Sequence, residues 1–575
     1  MKKLSYKVLM MALVMLTLTG CKDFLDKTPD TRVYLVNIEQ LRQLLITSYM
    51  DYNYALVCEL SSDNVIDNNS PDADGVRYNL SSYNIADEQV YKWEDVDMDI
   101  SSGDTPSGIW HSCYNAIASA NAVLEKVKEF EQNGIDGVAL SSDEQEDLNA
   151  IKGEALMIRA YHHFILAQVF CMPYRGAELS KSELGIPYMT WVETEVDPKY
   201  DRGTLAETYE KIEKDLLEGL PLINDQIYDV PKYHFNKAAA NAFAARFYLF
   251  KRDYEKARDY ATASFKGNDP ATMLNQLWQK TDFYYIRDIG RYFTSVEQSA
   301  NLMCFTSYST WWRRLLGYRF ACNRDAKRST IQGPGPTWYN CKYTNSKTKQ
   351  RFSMMPCFNG YCGTSGGQEY GTYFAGTAFE QFEYTDKISG IGYPHEIRAE
   401  FTVEEMLLTR AEANLFLGNK EAVLQDLAAW NSEHILDASR NYNMEELTTL
   451  EQITTYYAKE IGYDIKKEFH IDEVCPSNYT LDEDGWLIMQ AIQHFRRIQT
   501  VHMGNRWFDI KRFGFSITHK FGPTETYTLQ VLDPRYAIQI PSEVLSADME
   551  PNPRPVQSTS DATVAPASDN VPTND

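Results

Sequence analysis

After residue 20 the chain has no apolar run long enough to span a bilayer, so nothing downstream anchors it by crossing a membrane. Basic residues are scarce beside acidic ones: 56 Lys and Arg stand against 80 Asp and Glu. That imbalance excludes tracking a phosphate backbone, and so nucleic acid as a partner. It also excludes lying flat on anionic lipid. The ten cysteines are spread over 575 residues, too sparse for a small disulfide-stapled scaffold. His-Glu-x-x-His, a phosphate-binding Gly-rich loop and Cys-x-x-Cys are missing, so no metal-hydrolase, nucleotide or dithiol chemistry is nominated and no cofactor is implied. What is present is ordinary globular composition, 43% hydrophobic and 24% charged, in a chain long enough for a large core or two domains.

The first residues carry an address. Lys2, Lys3 and Lys7 precede an apolar run from Val8 to Leu18, then Leu18-Thr19-Gly20-Cys21. A charged start, a short apolar core and small residues at the cut make a secretory signal. A cysteine directly after them makes it a bacterial lipoprotein signal, with Cys21 acylated after cleavage. Losing the three signal lysines takes the formal net charge from −24 to −27. The mature chain reads as a polyanionic body held on a membrane by one lipidated residue. Of the nine remaining cysteines, Cys341, Cys357 and Cys362 are close enough in sequence for one bridge, and buried free thiols are the simpler reading.

Helical periodicity dominates. Leu156, Ala160, Phe164, Ala167 and Cys171 share one helix face that Pro173 ends. Thr204 with Glu207 has capping-box spacing and opens a helix whose face is Tyr209, Ile212, Leu216 and Leu220. Residues 237–251 and a following helix with Tyr254, Ala257, Ala261 and Phe265 form a pair joined at Lys251-Arg252-Asp253. Its small/large pattern is that of a tetratricopeptide hairpin. A second pair runs from Glu404 to Leu417 and from Lys420 to Trp430, with Gly418-Asn419 between. About 150 residues separate the pairs, so the reading is a helical scaffold with a large insertion.

Over 271–400 that periodicity fades and Gly-Pro turn signals cluster, as at Gly333-Pro334-Gly335-Pro336. Phe283 to Tyr384 holds 23 aromatics in 102 residues, against 13% for the chain. The insertion therefore either builds a second small core or presents rings at a surface. Sugars have flat C–H faces that stack on Trp and Tyr, ringed by hydroxyls that seek polar side chains, and peptides also use aromatic grooves. Trp311, Trp312, Tyr318, Trp338, Tyr339 and Tyr361, with Trp93 in an earlier loop, are the candidate ligand contacts. Residues 557–575 are Ser/Thr/Asp/Pro-rich and read as a disordered tail. Adjacent His162 and His163 point about 100° apart on a helix and read as packing residues, not as a shared metal site. Asp72-Ala73-Asp74-Gly75 resembles part of a calcium loop, but Ser70 and Ser81 occupy positions that need acids. Among 80 acids a pair at glycosidase spacing is conceivable, and nothing selects one.

Several motifs occur in a recognisable order: Cys21-Lys22-Asp23-Phe24-Leu25-Asp26; Glu59-Leu60-Ser61-Ser62-Asp63-Asn64; Trp110-x-x-x-Tyr114-x-x-Ile117-x-x-Ala120-Asn121; Gly153 to Tyr161; Asn236 to Ala240; Arg410-Ala411-Glu412-Ala413; Gly504 to Arg512; and Ile538-Gln539-Ile540-Pro541. With them the chain resembles the SusD/RagB family of outer-membrane nutrient-binding lipoproteins of Bacteroidetes. The resemblance implies a mainly α fold, a tetratricopeptide-like scaffold with a loop-rich, aromatic-rich insertion. Its implied parts are a signal peptide (1–20), an N-terminal helical region (21–270), the insertion (271–400), a C-terminal helical region (401–556) and the tail (557–575). It also implies a lipid-anchored place on the outer membrane facing the exterior. There the family works without catalytic residues, as a hinged lid passing oligosaccharides or peptides to a SusC-like TonB-dependent transporter. The Gly504–Arg512 charges are implied to be a structural salt-bridge network. Phe495-Arg496-Arg497 and Met503-Gly504 depart from the family's usual Glu-Arg and Glu-Gly. A lipid-anchored glycoside hydrolase is the alternative from another class, and a purely structural partner of the barrel is a further one.

Overall fold

The computed structural model describes residues 35–555, except 73–74, 76, 78, 81–83, 97–102, 196–197, 276–285, 316–317, 324–325, 433–446 and 460–464. Within 327–377 it describes only short strand segments, by their backbone. Cys21, Ala73, Asp74, Trp338, Tyr339, Tyr361 and the expected tail therefore lie outside the described residues, as do the side chains of Cys341, Cys357 and Cys362.

The fold is mainly α. Helix α1 (Pro106–Asn133) starts where Thr105 accepts from the Gly108 amide and Pro106 fills the first turn. Helix α2 (Ser142–Phe170) opens on a capping box between Ser141 and Glu144. The expected single apolar face of α2 is instead a helix buried on every side from Gly153 to Phe170, which makes it the central element of the core. Helix α3 (Leu205–Gly219) carries the Thr204–Glu207 capping box that the spacing predicts. It buries Tyr209, Ile212 and Leu216 against α2.

Helices α4 (Lys237–Lys251) and α5 (Tyr254–Ser264) form the first expected hairpin. Asn236 caps α4 by accepting from the Ala238 and Ala239 amides. The chain reverses at Arg252, whose φ of 61° is left-handed. Helices α6 (Val403–Phe416) and α7 (Lys420–Ser432) form the second hairpin. α6 packs directly on α5, so the two hairpins are neighbours in space although the insertion separates them in sequence. Helices α8 (Glu483–Gln499) and α9 (Asn505–Phe513) close the scaffold.

Charged residues of the recurrent motifs are buried and paired. Glu412 on α6 binds Arg496 of α8 at 2.9 Å and both Arg512 Nη atoms of α9. Arg410 binds Asp426 across the α6–α7 pair at 2.6 Å. Arg497, the neighbour of Arg496, turns to a different cluster, donating to Asn64 Oδ1 and to the Asp63 carbonyl, each at 2.8 Å. The described cysteines are buried free thiols: Cys58, Cys113, Cys171, Cys304, Cys322 and Cys475.

The insertion is not only loops. Strands β1 (Asn301–Tyr308), β2 (Ala378–Asp386) and β3 (Ile391–Thr402) make an antiparallel sheet in the order β2–β3–β1. The simple alternation of a half-buried strand is absent from β3 because its two ends differ. Residues 398–401 are buried on both faces, whereas Ile391 and Tyr393 stand in solvent on the projecting half. No helix among the described residues is long and apolar enough to cross a membrane.

Candidate functional site

The projecting end of this sheet carries an exposed aromatic face. His395 pairs with Tyr308 across β3–β1, and Tyr393 pairs with Glu383 across β3–β2. Side chains two apart on one strand share a face, so Tyr308, Tyr393, His395 and Glu383 stand on the same side. The Tyr308 and Tyr393 rings meet edge to face at 5.9 Å, and His395 lies 4.3 Å from Tyr308. His395 Nε2 is 2.6 Å from Glu383 Oε2.

A second segment completes the face. The Tyr308 amide donates to the Asp51 carbonyl at 2.6 Å, fixing residues 51–52 against the strand. The Tyr52 amide donates to Ser112 Oγ at 3.0 Å, tying the segment to α1. Gly103 lies flush on the Tyr52 ring: a Cβ there would stand 1.8 Å from it. Any side chain at 103 would displace the ring. Partial burial raises the Asp51 carboxyl, with His395 pulling it back. Burial, then the neighbouring Asp51 and Asp104 carboxylates, raise the Tyr52 phenol. Burial and Glu383 raise the Tyr308 phenol. The phenols stay protonated at neutral pH and can both donate and accept. Tyr308 and Tyr393 remain 39% and 55% exposed. Flat rings beside carboxylates and phenolic hydroxyls form a surface that stacks an apolar ring and hydrogen-bonds its polar edge.

The residues expected to touch ligand separate into groups. Trp311 is fully buried in a short helix (Trp311–Leu315), beside Arg314, which binds Asp87 and Asp104. Trp93 is buried too: its indole donates to the Ser61 carbonyl at 3.0 Å and stacks on His519. Both are core side chains, contrary to the surface role suggested by their place in ring-rich loops. Trp312 and Tyr318 are half-buried. Trp338, Tyr339 and Tyr361 lie outside the described residues, as stated. Tyr52, Tyr308, Tyr393 and His395 were missed. Tyr308 was within the ring-dense span, but strand pairing, which local sequence hides, brings it to the others.

His162 and His163 pack as expected. Their Nδ1 atoms meet the Ile158 and Arg159 carbonyls at 2.7 and 2.8 Å, and His163 stacks on Tyr188. The Met189 amide donates to His163 Nε2 at 3.0 Å, so the His163 proton sits on Nδ1. A Gly-x-Ser-x-Gly spacing does occur at residues 363–367. Its residues 363–365 pair antiparallel with 368–370, whereas Gly366 and Gly367 lie outside the described residues.

Residues 23–249 match a SusD-like family model described as starch-binding, associating with outer membrane. No curated protein matches the chain. Among solved structures, a SusD superfamily protein from Bacteroides thetaiotaomicron is 19% identical with a TM-score of 0.57, over 90% of this chain and all of that one. One from Bacteroides vulgatus is 18% identical with a TM-score of 0.55, over 90% of this chain and 99% of that one. A SusD-like carbohydrate binding protein from Bacteroides vulgatus is 16% identical with a TM-score of 0.53, over 89% and 96%. Residues 23–249 are thus similar in sequence to a SusD-like family model, and over nine-tenths of its length the chain shares the fold of these solved structures.

Proposed function

We propose that this protein is a non-catalytic, lipid-anchored binding protein of the outer membrane. It captures oligosaccharides and passes them to a SusC-like TonB-dependent transporter. The observation that carries this reading is the exposed Tyr308–Tyr393 face with Asp51, Glu383 and His395 around it. It joins stacking planes to hydrogen-bonding groups, the pairing a sugar ring requires. The family description, starch-binding and associated with outer membrane, and the carbohydrate-binding relative support the ligand class. The Cys21 signal supports the anchor.

One feature favours a second reading. Among the described residues strand β2 is the outer strand of its sheet, and outer strands can recruit extended peptides. Calorimetry of the mature protein with a panel of neutral oligosaccharides and a panel of unstructured peptides separates the two. Saccharide binding weakened about tenfold by Tyr308→Ala or Tyr393→Ala, the loss of one anchoring ring, supports capture of sugars at this face. Peptide binding without any saccharide binding sinks it.

A further inference from the structure

A sizeable cavity lies away from the insertion. It has a volume of about 470 Å³ and opens between α1, residues 187–193 and 198–200, and the chain near 543–549. That volume is within the range of about 300–1,000 Å³ typical of small-ligand sites.

Its walls are fixed by side chains of the scaffold. Tyr114 on α1 donates to the Pro187 carbonyl at 2.8 Å. Asn121, one helix face further on, donates to the Met189 and Trp191 carbonyls at 3.2 and 3.1 Å. Asn121 is itself held by Arg159 at 3.0 Å. The opposite wall is tied to α1 through Glu543, which accepts from Ser107 and lies 3.1 Å from His111. At the surface, Lys199 pairs with Asp548 of that wall at 2.6 Å and bridges the two sides.

Four rings line the space: Trp110, Tyr114, Trp191 and Tyr200. Trp191 is 53% exposed at the mouth of the cleft. Its backbone is positioned, since Asn121 donates to the Trp191 carbonyl. The Glu193 carboxylate accepts from Tyr200 Oη at 2.8 Å. The Glu195 amide, and then the Tyr200 hydroxyl, hold the Glu193 carboxyl low. Glu543 is held low as well, since its Ser107 and His111 bonds outweigh partial burial. The lining therefore offers aromatic planes and ionised acceptors, in a chain with strong net negative charge. Such a lining selects ligands with apolar faces and donor-rich edges, and repels anions. An extended peptide would need open backbone groups. Here the Pro187, Met189 and Trp191 carbonyls and the Met189 amide are already taken.

We propose that this cleft is a second saccharide site, separate from the Tyr308–Tyr393 face, that holds a neutral sugar against Trp191 with Glu193 and Glu543 as acceptors. The ligand class rests on the carbohydrate reading above, whereas the location rests on the cleft alone.

The test uses the mature protein with neutral gluco-, manno- and xylo-oligosaccharides, followed by calorimetry and tryptophan fluorescence. A bound saccharide should weaken at least tenfold on Trp191→Ala and regain most of its affinity with Trp191→Phe, while Tyr393→Ala leaves that event unchanged. Melting temperatures report whether the variants fold. Saccharide binding lost only in the Tyr308 and Tyr393 variants overturns the cleft and leaves the carbohydrate function standing. Saccharides that bind neither place overturn both, and unstructured peptides displaced by Trp191→Ala instead of sugars overturn the ligand class of the cleft.

Discussion

Trp93 stacks on His519, far along the chain, with ring centroids 4.1 Å apart and planes 22° from parallel. On its other face His519 stacks on Tyr91 at 4.2 Å. The three rings join the N-terminal helices to the C-terminal hairpin of Ile517–Phe521 and Glu525–Leu529. Removing a buried Trp from such a layer costs about 3–5 kcal/mol. Trp93→Ala should therefore lower the urea midpoint with an unchanged slope and leave saccharide affinity of the folded protein intact. An unmoved midpoint with weakened binding would return Trp93 to the ligand site.

A second prediction concerns Asp63, in the Glu59–Asn64 motif. Burial alone would raise its carboxyl, but Arg497, Arg506 and Lys467 together hold it well below the usual range. Arg506 grips it twice, at 2.8 and 3.0 Å, and Lys467 lies 2.8 Å away. A carboxyl depressed on folding contributes stability that is present above its unfolded pKa, about 3.9, and lost as pH falls toward the folded value. Asp63→Asn should cost about 3–5 kcal/mol at neutral pH because it strands buried cations. It should also flatten the loss of stability below about pH 4. A neutral-pH stability equal to wild type would refute the network's role.

His162 responds in a different window. Burial pushes it down to about 4, against the pull of the Ile158 carbonyl on its ring. The unfolded chain protonates near pH 6.5, so it takes up a proton that the folded chain refuses. Stability is full above about pH 6.5 and falls as pH drops toward the folded value. His162→Gln should remove up to about one proton from that slope, read from denaturation midpoints between these limits. An unchanged slope would mean that His162 is already charged in the folded protein.

Where structure is set by neighbours in sequence, it was legible. The Thr204–Glu207 capping box and the two helix pairs, reversing at Lys251-Arg252-Asp253 and Gly418-Asn419, are local patterns, and each is where its spacing puts it. Aromatic density was a poorer guide because a ring in a Gly-rich stretch looks the same whether packing buries it or not. Trp311 is swallowed by contacts from distant segments, whereas Tyr393 is left outside by a strand that outruns the core. The cleft was invisible for the same reason. Trp110 and Tyr114 were visible as a scaffold motif, but the cavity exists only because residues near 190 and 545 fold over them.

The last prediction follows from the anchor. The proposed lipid anchor at Cys21 would turn ligand delivery to a membrane partner into a nearly intramolecular event, at effective concentrations on the order of millimolar. Weak saccharide affinity then suffices, and release to the partner stays fast. A Cys21→Ala protein should bind oligosaccharides in solution as tightly as wild type, leave the membrane fraction, and fail to support growth on the glycan. Undiminished growth would show that the lipid is dispensable. Lost binding in solution would show that residue 21 acts on the fold rather than as a tether.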